Sequence, residues 1–289
     1  VSKDLDKELD GLLRELKLPG VAAHRSHTAA RAEREGWSFG RYLHSLLEME
    51  LEERRVRRLE RALKASRLPT DKTMSTLDQA RLPTPVRRML PNLCSGGFVD
   101  RAENLLAFGL PGRGKIHLVC AISAELLQRG YSVHFTPAFA LVQKLMAAKK
   151  ALMLEKELRR LDAFSVLVID DIGYIQQDRD EMEVLFTLLA ERYERRSVVI
   201  TSNLVFNQWE RIFKDPMTTA AAIDRLVHHA VILELTGPSY RAEAAKARKL
   251  EVPDRDLAAM AAGFSTSAFA LTIRDQTPSR PFGSGPTPA

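Results

Sequence analysis

Gly109-Leu110-Pro111-Gly112-Arg113-Gly114-Lys115-Ile116-His117 lies between an apolar run, Asn104-Leu105-Leu106-Ala107-Phe108, and a helix-like pattern from Leu118 to Arg129. Strand, glycine loop and helix in that order are the context in which G-x-x-x-x-G-K-[ST] becomes a phosphate site. The glycines let backbone N–H groups wrap a phosphate, the helix N-terminus adds partial positive charge, and Lys115 reaches the outer phosphates. One position breaks the pattern. Where a Ser or Thr hydroxyl would bind Mg²⁺, the chain has Ile116.

Working outward, the chain downstream of Glu103 alternates strands and helices, which argues for a parallel sheet flanked by helices. Strands are expected at 104–108, 132–136, 165–170, 197–202 and 230–235. Helices are expected at 115–129, 138–148, 180–194, 206–213, 219–228 and 239–250. The run Val166-Leu167-Val168-Ile169 ends in Asp170-Asp171. A buried parallel strand reads as a continuous apolar run, and closing it with two carboxylates is costly without a function. Beside a phosphate loop, Asp170 is placed to hold Mg²⁺ through water, and Asp171 to orient an attacking water. Ser197-Val198-Val199-Ile200-Thr201-Ser202-Asn203 is a second apolar strand with an amide at its tip. If that strand lies between the other two, Asn203 faces the γ-phosphate; otherwise it is a polar turn.

Upstream, Leu5, Leu9, Leu12, Leu13 and Leu16 carry helical spacing, and Pro19-Gly20 ends that pattern. A second helix is expected over 21–35. A third, long one is expected after the N-cap residue Ser38. Its second half holds Arg54, Arg55, Arg57, Arg58 and Arg61 against Glu52, Glu53 and Glu60. Two readings stand: a solvated face laced with salt bridges, or a phosphate-contacting surface. The division expected is a helical domain over 1–67, a proline-rich linker over 68–91, a sheet domain over 92–250 and a disordered tail over 251–289. Formal net charge is +6, which permits a nucleic-acid partner without requiring one. Cys94 and Cys120 are too few for a disulfide framework or a metal cluster. No run reaches the length of a membrane span and the first residues lack a signal peptide's apolar segment, so a cytoplasmic protein without membrane partners is expected.

The ordered set Lys115-Ile116-His117-Leu118, Ile169-Asp170-Asp171-Ile172-Gly173-Tyr174, Leu189-Ala190-Glu191-Arg192-Tyr193-Glu194-Arg195-Arg196, Thr201-Ser202-Asn203-Leu204, Asp224-Arg225-Leu226-Val227-His228-His229 and Gly237-Pro238-Ser239-Tyr240-Arg241 resembles the IstB-type transposition helper ATPases. These are AAA+ proteins close to the DnaC-type helicase loaders, and the similarity runs from about residue 10 to residue 250. The resemblance implies a P-loop AAA+ three-layer sandwich with a five-stranded parallel sheet, its sensor strand between the two Walker strands. It implies that Gly109 to Lys115 form Walker A, Asp170 and Asp171 Walker B, and Asn203 sensor 1. By the same resemblance Arg225 is the arginine finger inserted into a neighbour's site, and Arg241 serves as sensor 2. ATP and Mg²⁺ are the implied cofactors. Double-stranded DNA, a partner transposase and an ATP-dependent homo-oligomer are the implied partners. The departure is Ile116, where the family has Thr: nucleotide binding survives and metal-assisted hydrolysis is impaired. The alternatives are a replicative helicase loader and a nucleotide-binding scaffold with little turnover.

Overall fold

The computed structural model describes residues 2–174, 179–204, 216–240 and residue 243. The expected helix over 206–213, most of that over 239–250, Arg241 and the tail over 251–289 lie outside the described residues. Residues 1–243 form one compact unit.

Three helices open it: α1 (Ser2–Glu15), α2 (Pro19–Glu35) and α3 (Phe39–Ser66). Pro19 stands in the first turn of α2, where its missing N–H costs nothing. Gly36 ends that helix in the left-handed conformation. Ser38 caps α3, its side chain accepting from the Arg41 N–H at 3.3 Å. After α4 (Thr84–Ser95) and the single turn α5 (Gly97–Asp100), strands and helices alternate. They are β1 (Asn104–Phe108), α6 (Lys115–Gln128), β2 (Val133–Pro137), α7 (Ala138–Lys150), α8 (Leu154–Asp162), β3 (Val166–Asp170), α9 (Arg179–Arg192), β4 (Ser197–Ser202), α10 (Pro216–Val227) and β5 (Ala230–Glu234).

All five strands pair in parallel, in the order β2-β3-β4-β1-β5. Side chains alternate across the sheet. Leu106, Phe108, Leu167, Ile169, Val198 and Ile200 face one core shared with α7, α9 and α10. Leu105, Ala107, Val166, Val168 and Val199 face the other, with α4 and α6. Helices on both faces make the three-layer α/β sandwich expected. The carboxyl ends of β1, β3 and β4 therefore open side by side, with β4 in the middle.

Arg192 closes the opposite end. Its guanidinium is 1% exposed and donates to the carbonyls of Leu161, Phe164 and Ser197, each at 3.0 Å. Burial pulls its pKa down to about 10. It bolts α9 to the amino ends of β3 and β4.

The linker reading of residues 68–91 is corrected. Leu68, Leu77, Leu82, Val86 and Leu90 are all buried in the same core as α6, and residues 84–95 are α4. Pro85 lies within the first turns of α4, and Pro91 lies inside that helix, so the prolines do not mark a free tether. The helical region is likewise not detached. Leu59 and Ala62 of α3 pack on the α6 core, and His134 of β2 stacks on Phe164 at 4.8 Å with Nδ1 3.4 Å from the Ala65 carbonyl. Among the described residues, no helix is long and apolar enough to cross a membrane.

Candidate nucleotide-binding site

The loop after β1 turns sharply beneath the end of β5. Gly109 has φ 154°, and a Cβ there would lie 2.6 Å from the Leu235 carbonyl oxygen, so the backbone itself demands glycine. Gly112 and Gly114 have φ 80° and 84°, which L side chains rarely adopt. Gly114 is also the N-cap of α6. The positive φ values turn successive N–H groups toward one concavity at a helix N-terminus, the backbone arrangement that receives a phosphate.

Lys115 begins α6 and is 7% exposed. Its ammonium donates to the Gly109 carbonyl at 2.5 Å, the Leu110 carbonyl at 3.1 Å and the Asn203 Oδ1 at 2.5 Å. These contacts hold the side chain folded over the loop, at the tip of the middle strand. From β3, the Asp170 Oδ1 accepts from the Thr201 hydroxyl at 2.5 Å, and Thr201 Oγ1 in turn accepts from the Asp171 N–H at 2.9 Å. The Asn203 amide nitrogen donates to the Asp171 Oδ1 at 3.0 Å. Asp171 itself sits at φ 59°, a left-handed conformation that costs a non-glycine residue energy and concentrates at functional sites. Burial raises the pKa of both carboxyls; for Asp171 the neighbouring Asp170 charge raises it further, while Lys115 opposes both rises.

The P-loop, Lys115, Asp170, Asp171, Thr201 and Asn203 line one cleft of ≈ 460 Å³, within the size range of small-molecule sites. Arg113 donates to the Leu235 carbonyl at 3.4 Å and also lines the cleft. Three contributors escaped the sequence reading. Thr201 carried only the signal of a polar residue ending an apolar strand. The segment Lys72, Thr76, Leu77, Asp78, Arg81 and Leu82 forms the facing wall, although its Thr, Ser, Asp and Pro content read as a tether. Tyr240 closes the side: its N–H donates to the Gly112 carbonyl at 2.9 Å, and Arg81 lies 4.8 Å over its ring.

Arg225 does not join this cleft. Its guanidinium lies over the Phe186 ring at 4.7 Å, and its Nη1 is buried without a hydrogen-bond partner among the described residues. Arg241 lies outside the described residues. Of the five arginines on α3, Arg54 donates to Glu50 at 2.7 Å and Arg57 to Glu53 at 3.1 Å. Arg61 donates to the Arg57 carbonyl at 3.1 Å. Arg55 and Arg58 are exposed and line an open groove with Arg54 and Arg129.

In P-loop hydrolases the divalent metal takes oxygens from the hydroxyl that opens the helix and from the acidic strand. Asp170 offers a carboxylate. Ile116 offers no donor; it lines the cleft and packs against the α6 core. The donor set is therefore one ligand short of that metal site.

Sheet order, glycine loop and the lysine beneath the acidic strand define the class: a P-loop nucleotide-binding module of AAA+ fold. A solved replication initiator, DnaA bound to AMPPCP and single-stranded DNA, shares the fold. Its TM-score is 0.51 at 15% identity, covering 67% of this chain and 60% of that one. A family model described as IstB-like ATP binding protein matches residues 11–248, and this chain belongs to that family. Proteins described as insertion-sequence ATP-binding proteins are similar along most of their length. That of Sinorhizobium fredii is 41% identical over 82% of this chain and 80% of its own. That of Geobacillus stearothermophilus is 38% identical over 78% and 90%, and that of Pseudomonas aeruginosa 36% over 81% and 88%.

Proposed function

We propose that this protein is an ATP-dependent, DNA-binding helper of an insertion-sequence transposase, assembling on DNA and promoting transposition. The observation that carries the nucleotide part is the meeting of Lys115, Asp170, Asp171 and Asn203, from three strand ends, in the cleft of the glycine loop. The insertion-sequence part rests on family membership and on the names of the relatives. In this reading Gly109 to His117 cradle the triphosphate and Lys115 binds its outer phosphates. Asp171 and Asn203 orient the attacking water, with Thr201 holding both acids in place. Asp170 would hold Mg²⁺, without the hydroxyl at position 116 that normally shares it. Arg225 completes a neighbouring subunit's site in an ATP-dependent oligomer, where such fingers contribute roughly 10³–10⁵ in rate. Arg241 belongs to the same reading as a nucleotide sensor. Duplex DNA is met by Arg54, Arg55, Arg57, Arg58 and Arg61, in a cytoplasmic protein working with its transposase.

Ile116 favours a second reading of the same site, a nucleotide-binding scaffold with little turnover. Both readings need ATP to bind before anything else happens. Calorimetric titration of the purified chain should show ATP binding, abolished by Lys115→Ala. Retained binding in that variant would mean the loop is not the phosphate cradle. Duplex binding that strengthens with ATP and weakens steeply with salt is expected. Affinity for a replicative helicase with none for duplex DNA would replace this function with that of a helicase loader.

A further inference from the structure

We propose that Lys72 is a second phosphate-binding lysine of the cleft, and that with it the site holds a nucleotide's phosphates without needing a divalent cation. The inference rests on the nucleotide reading above and supplies the cationic charge that position 116 fails to recruit. A triphosphate entering this cleft meets two carboxylates, Asp170 and Asp171, with one metal ligand missing. The cations already at the cleft are engaged: Lys115 donates to Gly109, Leu110 and Asn203, Arg113 to the Leu235 carbonyl, and Arg81 pairs with Glu243 at 2.6 Å. Like charges in a partly desolvated site repel strongly, so a further cation facing the phosphates favours binding.

Lys72 is placed to be that cation. It lines the same cleft as Lys115, Ile116, Asp170 and Asp171, and its side chain is 29% exposed. The turn that carries it is anchored beside position 116. Thr76 Oγ1 lies 3.0 Å from the His117 Nε2, and the same nitrogen lies 3.3 Å from the Thr73 carbonyl. Within the turn, the Thr73 N–H donates to Thr76 Oγ1 at 3.0 Å, and Thr76 Oγ1 donates to the Asp71 carbonyl at 2.9 Å. His117 thus ties the strap to the residue next to Ile116. The present partner of the Lys72 ammonium is Asp71 at 3.0 Å, whose side chain is 74% exposed. An exposed pair of that kind is worth little, so the ammonium can turn to a phosphate. A compact ammonium also supplies the point charge that a metal would.

The test is ATP affinity of the full chain by titration, in magnesium and in excess EDTA, with an unfolding midpoint for each variant. Wild type should bind with similar affinity in both buffers. Lys72→Ala should lose about tenfold or more in both, the scale of one hydrogen bond to a charged group, with its unfolding midpoint unchanged. Ile116→Thr should bind more tightly in magnesium than in EDTA. Wild-type binding that disappears in EDTA overturns the inference, as does Lys72→Ala with wild-type affinity. Absence of ATP binding in either buffer instead sinks the nucleotide reading on which it rests.

Discussion

At position 116 an ethyl arm stands where the family's threonine has a hydroxyl, and the consequence is chemical, because the site around it is intact. Ile116 is close to threonine in shape and packs against the α6 core, so the loop keeps its geometry while losing a metal ligand. Ile116→Thr should therefore raise ATP turnover in magnesium by about tenfold or more, since a well-held metal stabilises developing charge by several kcal/mol. Equal rates would remove the claim that this residue limits hydrolysis. Thr201 is the other decisive residue. One hydroxyl donates to Asp170 and accepts from the Asp171 N–H, setting both acids at once from the middle strand. Thr201→Val keeps the volume and removes a hydrogen bond from each of two half-buried groups, at ~1–3 kcal/mol in all. The expected readouts are a lower urea midpoint and a loss of turnover in the Ile116→Thr background.

Among the elements, α3 does more than display arginines. Glu50, 2% exposed, accepts from the N–H groups of Gly20 and Val21 at 2.6 and 3.1 Å. It thereby caps the positive end of α2, while Arg54 holds it from the other side at 2.7 Å. Burial works against ionisation, but Arg54 and the two N–H groups outweigh it, and the carboxyl titrates below its usual value. A lowered carboxyl contributes stability that is present above its unfolded value and lost as pH falls through its folded value. Glu50→Ala should destabilise the α2–α3 pair by ~1–3 kcal/mol at neutral pH. In urea unfolding the gap between variant and wild type should close as the solution becomes acidic; a gap independent of pH would mean the charge is not what caps α2. The arginines sort themselves by the same contacts. Arg54 and Arg57 are engaged with Glu50 and Glu53, whereas Arg55, Arg58 and Arg61 stand exposed without an ion pair among the described residues, Arg61 donating to the Arg57 carbonyl.

For the whole molecule, Arg55 and Arg58 line the open groove that α3 forms with the end of α6 and are not among the residues lining the nucleotide cleft. If duplex DNA binds there, Arg55→Ala with Arg58→Ala should flatten the slope of log affinity against log salt by about two. Arg54→Ala should cost folding stability as well as DNA affinity. An unchanged slope would return that face to solvent. The strap over 68–82 joins α3 to the cleft: it runs from the end of α3, buries Leu68, Leu77 and Leu82, and forms a wall of that cleft.

The sequence by itself determined the elements and the loop. Continuous apolar runs report strands buried on both faces, period-3.6 patterns report helices with one apolar face, and Gly109, Gly112, Gly114 and Lys115 report a backbone bend that few other residues tolerate. These are local signals, so the five strands, the three opening helices and the members Asp170, Asp171 and Asn203 could be read from them, with the family resemblance supplying their order. Tertiary structure alone decided what lies opposite the loop. Lys72, Thr76, Arg81 and Tyr240 enter the cleft through contacts between segments far apart in the chain. The polar and proline-rich spacing of the strap is the same whether it hangs free or buries its few leucines. The same holds for the arginines of α3, whose charge is visible in sequence but whose availability depends on which of them Glu50 and Glu53 engage.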